Sequence, residues 1–193
     1  MLKKKIAILA SGGGSNAKAI ISHSQEQGSS FEVVLIVSNR KNAGVLNFSE
    51  EHNIPSILLR RETFYNSEDF LQALNIHQVD MIVLAGFLWL VPSYLITAFP
   101  QRILNIHPAL LPKYGGKGMY GSHVHEAVKN AKEIISGITI HYADEAYDEG
   151  NIIFQAQCEL SSGADSIDIA KRVLKLEHDF YPRVVNGVAS RLK

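Results

Sequence analysis

The sequence predicts an α/β fold, a mostly parallel sheet with helices on both faces and an antiparallel strand pair at its C-terminal end. Short apolar runs alternate with amphipathic segments as far as residue 107. Those runs are continuously apolar rather than alternating, as in strands covered on both faces. After residue 130 the pattern changes to two β-rich stretches separated by an acidic loop.

Taken in order, residues 6–10 form a buried strand and residues 16–27 a helix. Residues 32–37 form a second strand, followed by a helix near 45–52. A short strand at 56–59 precedes a helix at 67–76. Residues 81–85 and 103–106 read as strands on either side of a short helix at 92–99. Residues 113–122 are a glycine-dense loop suited to a lid, and 122–131 read as a helix. The stretches 134–142 and 152–160 form the antiparallel pair, joined by the acidic loop 144–150. Residues 165–192 form a long helix capped by Asp165 or Ser166, with a break or kink at Pro182.

The chain of 193 residues supports one domain with a substantial core, and no linker or repeat divides residues 1–193. Lys+Arg equals Asp+Glu at 19 each, which gives no basic footprint for nucleic acid. The single cysteine, Cys158, excludes an intrachain disulfide framework and reads as a buried thiol. The apolar run at 6–10 is too short for a signal peptide, and the longest one, near 81–91, is too short for a membrane span. The expected location is the cytoplasm.

The most informative segment is Ile103-Leu104-Asn105-Ile106-His107-Pro108-Ala109-Leu110-Leu111-Pro112. On a strand, Asn105 and His107 point to the same face, and the prolines end the ladder. An imidazole exchanges protons near neutral pH, and a carboxamide can donate to a developing oxyanion. The turn Ser11-Gly12-Gly13-Gly14-Ser15-Asn16 lies between a strand and a helix and suits an anion. Ala17 replaces the third glycine of a dinucleotide fingerprint, and no acid follows the second strand at Val37-Ser38-Asn39-Arg40. A single phosphate therefore fits better than NAD. A carboxylate from Asp144, Glu145, Asp148 or Glu149 could orient His107, but spacing does not choose among them. His123 and His125 are two apart on a helix and do not share a face, which argues against a metal site and makes His125 a capping or packing residue.

Together these segments resemble the phosphoribosylglycinamide formyltransferase family over essentially the whole chain. The matching pieces are Ser11 through Asn16, Val83-Leu-Ala-Gly-Phe87, Asn105 through Pro112, His141 through Gly150, and Glu177-His178 near Tyr181-Pro182. The resemblance implies a Rossmann-like formyltransferase sheet and direct formyl transfer from 10-formyltetrahydrofolate, the co-substrate, to the primary amine of glycinamide ribonucleotide in purine synthesis, with no metal. It implies a catalytic trio of Asn105, His107 and Asp148, the last because the family has His, six residues, then Asp, as in His141 and Asp148. Gly14, Ser15 and Asn16 match its phosphate turn, and Glu177 an acid on the ribose hydroxyls. Phe87, Leu88, Trp89, Leu90, Val91, Asn105, Ala143 and Asp144 match its folate site, and Leu111-Pro112 a cis peptide.

This chain departs from the family at Trp89 and Ser67, where some members have arginines for the folate tail. Its glycine loop is longer than in short-loop members, and Glu149 stands where glycine is common. Partners implied are the two small molecules, without nucleic acid or membrane, and the oligomeric state is open. The alternatives are another folate formyl enzyme or a noncatalytic nucleotide-binding module. A methionyl-tRNA formyltransferase would need a basic tRNA-binding domain, and a formyltetrahydrofolate hydrolase usually has a regulatory domain before the first strand.

Overall fold

The structure, a computed structural model, describes residues 2–192, so Met1 and Lys193 of the expected span lie outside it. Seven strands form one sheet in the order β3-β2-β1-β4-β5-β6-β7. They are β1 (Lys4–Ala10), β2 (Phe31–Ser38), β3 (Ser56–Leu58), β4 (Met81–Leu84), β5 (Ile103–His107), β6 (Ile135–Tyr142) and β7 (Ile152–Glu159). The first five are parallel neighbours, while β6 runs antiparallel to both β5 and β7.

The continuous apolar strands follow from two cores. On β1, Ile6, Ile8 and Ala10 face one core, while Ala7 and Leu9 face the other. The first core also takes residues of α1 (Ser15–Ser24) and α7 (Ser166–Ala189). The second takes Phe64 of α3 (Arg61–Asn66), Phe70 and Leu74 of α4 (Asp69–Ile76), and Leu95 of α5 (Ser93–Ala98). The remaining helices are α2 (Val45–Glu51) and α6 (Ser122–Asn130).

The helix expected at 67–76 is α4, and a short helix not expected from the sequence, α3, precedes it; α3 offers only Phe64 and Tyr65 to a core. Two expectations are corrected. Helix α7 runs through Pro182 as one element. Proline removes one N–H, while Tyr181, Val185 and Val188 keep that face buried on either side. Fully buried Tyr181 lies with its hydroxyl 2.9 Å from the Leu84 carbonyl and 3.1 Å from that of Leu104, which ties α7 to β4 and β5. Cys158 is half-buried rather than buried, on edge strand β7. Asp165 caps α7 by accepting from Asp168 N at 2.8 Å. No helix among the described residues is long and apolar enough to cross a membrane.

Candidate active site

Strand order reverses between β1 and β4, and the carboxyl ends of strands at such a reversal leave a crevice. A cavity of about 670 Å³ opens there. Ser11 and Gly12 line it after β1, Gly86 and Phe87 after β4, and Asn105 to Pro108 at the end of β5. Asn16, Asp148 and Glu177 complete its polar wall.

Asn105 and His107 occupy alternate positions of β5, opposite His141 and Thr139 of β6. His107 is buried, and both its ring nitrogens face oxygens. Nε2 lies 2.7 Å from the Tyr114 carbonyl, and Nδ1 lies 3.3 Å from Asp148 Oδ2. A carbonyl only accepts, so Nε2 carries a proton. Nδ1 is then the nitrogen free to gain or lose one, and a protonated ring has an acceptor at each end.

His141 carries its proton on the opposite nitrogen. Its Nδ1 donates to the Tyr142 carbonyl at 2.9 Å, and in the neutral ring Nε2 accepts from Asn105 Nδ2 at 3.0 Å. The second Asn105 hydrogen reaches Asp148 Oδ1 at 3.4 Å. This fixes the carboxamide's orientation, because its oxygen would repel both partners.

Asp148 sits in the left-handed region, at φ 61°, which turns its side chain inward from an exposed loop. Burial alone would push its carboxyl up. The His107 and His141 rings, the charge of His107 and the Gly116 N–H (3.0 Å) more than offset this and hold it well below the usual carboxylate range. The His141 contact, at 3.6 Å, is beyond hydrogen-bond range, so His107, through its hydrogen bond and its charge, carries most of the effect.

Across the cavity, Gly14 caps α1 at φ 82° and Ser15 opens the helix, exposed. Asn16 Nδ2 donates to Glu177 Oε2 at 2.5 Å, while Asn16 Oδ1 is buried without a partner. Burial pushes the Glu177 carboxyl up despite the Asn16 hydrogen bond and the charge of His107. Asn16 and Glu177 thus meet at the cavity, while Gly14 and Ser15, which precede Asn16 in the turn, do not line it.

The folate residues divide. Phe87 and Leu88 line the cavity, and the Leu88 N–H donates to Ser11 Oγ at 3.0 Å. Trp89, Leu90, Val91, Ala143 and Asp144 do not line it. Trp89 packs on Phe64, Tyr65 and Phe87, and the Leu90 carbonyl accepts from the Tyr65 hydroxyl at 3.0 Å. Val91 and Ala143 belong to the second core, and Asp144 Oδ1 accepts from Ala146 N at 3.1 Å.

Sequence reasoning missed the backbone groups of Tyr114 and Gly116, which have no side-chain signature. It also missed Arg40, Lys117 and Tyr120, which line the cavity from loops. His125 is buried, as a packing residue would be, yet it too lines the cavity, with Nδ1 unpartnered. Burial, with the charge of His107, pushes its imidazole down. The Leu111-Pro112 peptide is cis. Among the described residues, no group of three His, Cys, Asp or Glu side chains is placed to hold a metal ion.

Comparison with known proteins shows the family. The formyl transferase family model matches residues 4–185. The chain is 39% identical over 191 residues to the chloroplastic phosphoribosylglycinamide formyltransferase of Arabidopsis thaliana, covering 96% of this chain and 65% of that one. It is 37% identical over 186 residues to the phosphoribosylglycinamide formyltransferase of Bacillus subtilis, covering 94% and 93%. It therefore spans a little under two-thirds of the plant relative and nearly all of the bacterial one. Among solved structures it resembles the phosphoribosylglycinamide formyltransferase of Bacillus halodurans, with a TM-score of 0.87 and 35% identity over 98% of this chain and 97% of that one. The glycinamide ribonucleotide transformylase 1 of Symbiobacterium toebii gives a TM-score of 0.89 at 30% identity, over 97% and 88%. Fold, site geometry and these matches place the chain in the formyl transferase family, among the phosphoribosylglycinamide formyltransferases.

Proposed function

We propose that this protein transfers the formyl group of 10-formyltetrahydrofolate to the primary amine of glycinamide ribonucleotide, a step of purine biosynthesis. The observation that carries this reading is one cavity with the His107–Asp148 pair and Asn105 on one wall and the Gly14–Ser15–Asn16 turn with Glu177 near the other. In this reading the turn and the α1 N-terminus take the phosphate and Glu177 takes the ribose hydroxyls. Phe87 and Leu88, with the neighbouring Trp89, Leu90, Val91, Ala143 and Asp144, form the folate side.

The substrate amine attacks the formyl carbon, a tetrahedral oxyanion forms, and the bond to the folate nitrogen breaks as that nitrogen gains a proton. The charge of protonated His107 stabilises the oxyanion, and His107 assists movement of the proton that the attacking amine sheds to the leaving nitrogen that gains it. It is suited to this because Asp148 and the Tyr114 carbonyl accept from both its N–H groups. Asn105 contributes the hydrogen it now shares weakly with Asp148 at 3.4 Å, while His141 retains the other. Holding the two substrates in line supplies much of the remaining rate.

The test follows release of tetrahydrofolate with each substrate present alone and with both together. The expected result is release that depends on glycinamide ribonucleotide. Release independent of it would mean hydrolysis, and none at all would leave a binding module.

A further inference from the structure

Nothing assigned so far explains what holds the Tyr114 carbonyl against His107. Tyr114 is a non-glycine residue at φ 59°, a conformation that persists only where its surroundings impose it. The two residues after it are glycines, which offer little resistance to movement. The restraint comes from elsewhere in the chain. Glu133 Oε1 accepts from the Tyr114 hydroxyl at 2.8 Å and from Lys113 Nζ at 2.7 Å. Glu133 is itself anchored, because its N–H donates to the carbonyl of buried Val128 at the end of α6.

We propose that Glu133 is a positioning residue for His107, gripping Lys113 and Tyr114 so that the Tyr114 carbonyl holds the proton on His107 Nε2. The chain of contacts runs from Glu133 to the Tyr114 hydroxyl, through the Tyr114 backbone to His107 Nε2, and from His107 Nδ1 to Asp148. Without the grip, Nε2 loses a fixed acceptor, and the neutral ring can move its proton to Nδ1 facing Asp148. That tautomer has no free nitrogen on the Asp148 side.

The grip persists across the working pH range. Glu133 is held below the usual carboxylate range by Lys113 and Tyr114, and Lys113 is raised by Glu133. Burial and the Glu133 contact push Tyr114 up. As an ion pair it adds little to stability, since Lys113 is mostly exposed. Its effect is on geometry, where small misplacements are costly to rate.

The inference deepens the proposed formyl transfer, but its first test does not need that activity. Long-range proton–nitrogen correlation spectra of the whole protein, with His107 identified by comparison with His107→Ala, report which ring nitrogen carries the proton. With the ring neutral, wild type shows Nε2–H; Glu133→Ala and Tyr114→Phe each show a mixture of tautomers, and Glu133→Gln an intermediate spectrum. In the transfer assay, Glu133→Ala lowers kcat on the order of ten-fold with little change in KM. Combined with Tyr114→Phe it is little worse than the poorer single variant. An unchanged His107 tautomer in folded Glu133→Ala overturns the inference, as does an unchanged kcat in an active protein. An inactive wild type with the tautomer shift present overturns the proposed function and leaves the positioning role standing.

Discussion

Two glycines of the same turn should separate folding from binding. Gly14 sits at φ 82°, and a Cβ there would meet Val45 Cα and Cβ at 2.9 Å each. The left-handed backbone costs an alanine about 1 to 2 kcal/mol. Displacing the Val45 backbone adds overpacking of about 1 to 3 kcal/mol. Gly14→Ala should therefore destabilise the free protein by about 2 to 5 kcal/mol, which for a chain this size lowers Tm by roughly 4 to 20 °C. Gly12 lines the cavity, its backbone is not left-handed, and a Cβ there meets nothing within 4 Å. Gly12→Ala should change stability by no more than about 0.5 kcal/mol. Its methyl group instead occupies space the ligand needs, and weakening one charged hydrogen bond, worth about 1.5 to 3 kcal/mol, reduces affinity ten-fold or more. Thermal unfolding gives the first quantity, and calorimetric titration with glycinamide ribonucleotide the second. Equal destabilisation by both variants, or undiminished affinity in Gly12→Ala, would refute the reasoning.

The two buried carboxyls should respond to pH with opposite signs. Asp148 is depressed, so its contribution to stability is present above the ordinary aspartate value of about 3.9 and is lost as pH falls through its lower folded value. Asp148→Asn should thus lower Tm at pH 7 and approach wild type on strong acidification; a gap that stays constant contradicts this. Glu177 is raised, so the native state is favoured below the ordinary glutamate value and loses that advantage as pH rises. Glu177→Gln, which keeps an acceptor for Asn16, should melt above wild type at pH 8, with a margin that shrinks toward about pH 4, while binding the ribonucleotide more weakly. A lower Tm at pH 8 would count against it. His107→Ala and Asp148→Asn should each reduce kcat by roughly two or more orders of magnitude, with the double variant little worse than the poorer single; multiplicative losses would deny a shared role. Removing the tail glutamate from a folate analogue should change binding by no more than about 1 kcal/mol. Ser67 Oγ is turned onto the Thr63 carbonyl, and the Arg61 guanidinium lies over Tyr65 and Trp89 at 5.3 and 5.7 Å. A larger loss would implicate Arg61, and Arg61→Ala would then abolish it.

The sheet was legible because its strands are apolar on both faces: Ile6 and Ala7 are equally buried, in different cores. The pairing of Asn105 with His107 was legible for the same geometric reason, strand alternation. The choice of Asp148 among four acids was not legible from spacing, since it depends on one left-handed backbone angle and a backbone N–H from Gly116. Helix α3 was hidden because its core contribution rests on one fully buried residue, Phe64. The folate segment is uneven in a way the sequence does not show. An apolar run such as residues 87–91 looks uniform, yet Phe87 and Leu88 reach the cavity while Trp89 turns into an aromatic cluster. Tyr114 could not be found at all, because what it offers His107 is a carbonyl that every residue has.

The central claim is that the formyl group passes to an amine rather than to water. Carbon-13 in the formyl group of 10-formyltetrahydrofolate, followed by NMR in the presence of glycinamide ribonucleotide, shows where that carbon goes. The account predicts that the label appears in a ribonucleotide formamide with wild type, and that this signal falls at least a hundred-fold in rate with His107→Ala. Label appearing in formate, or transfer undiminished by His107→Ala, would contradict it.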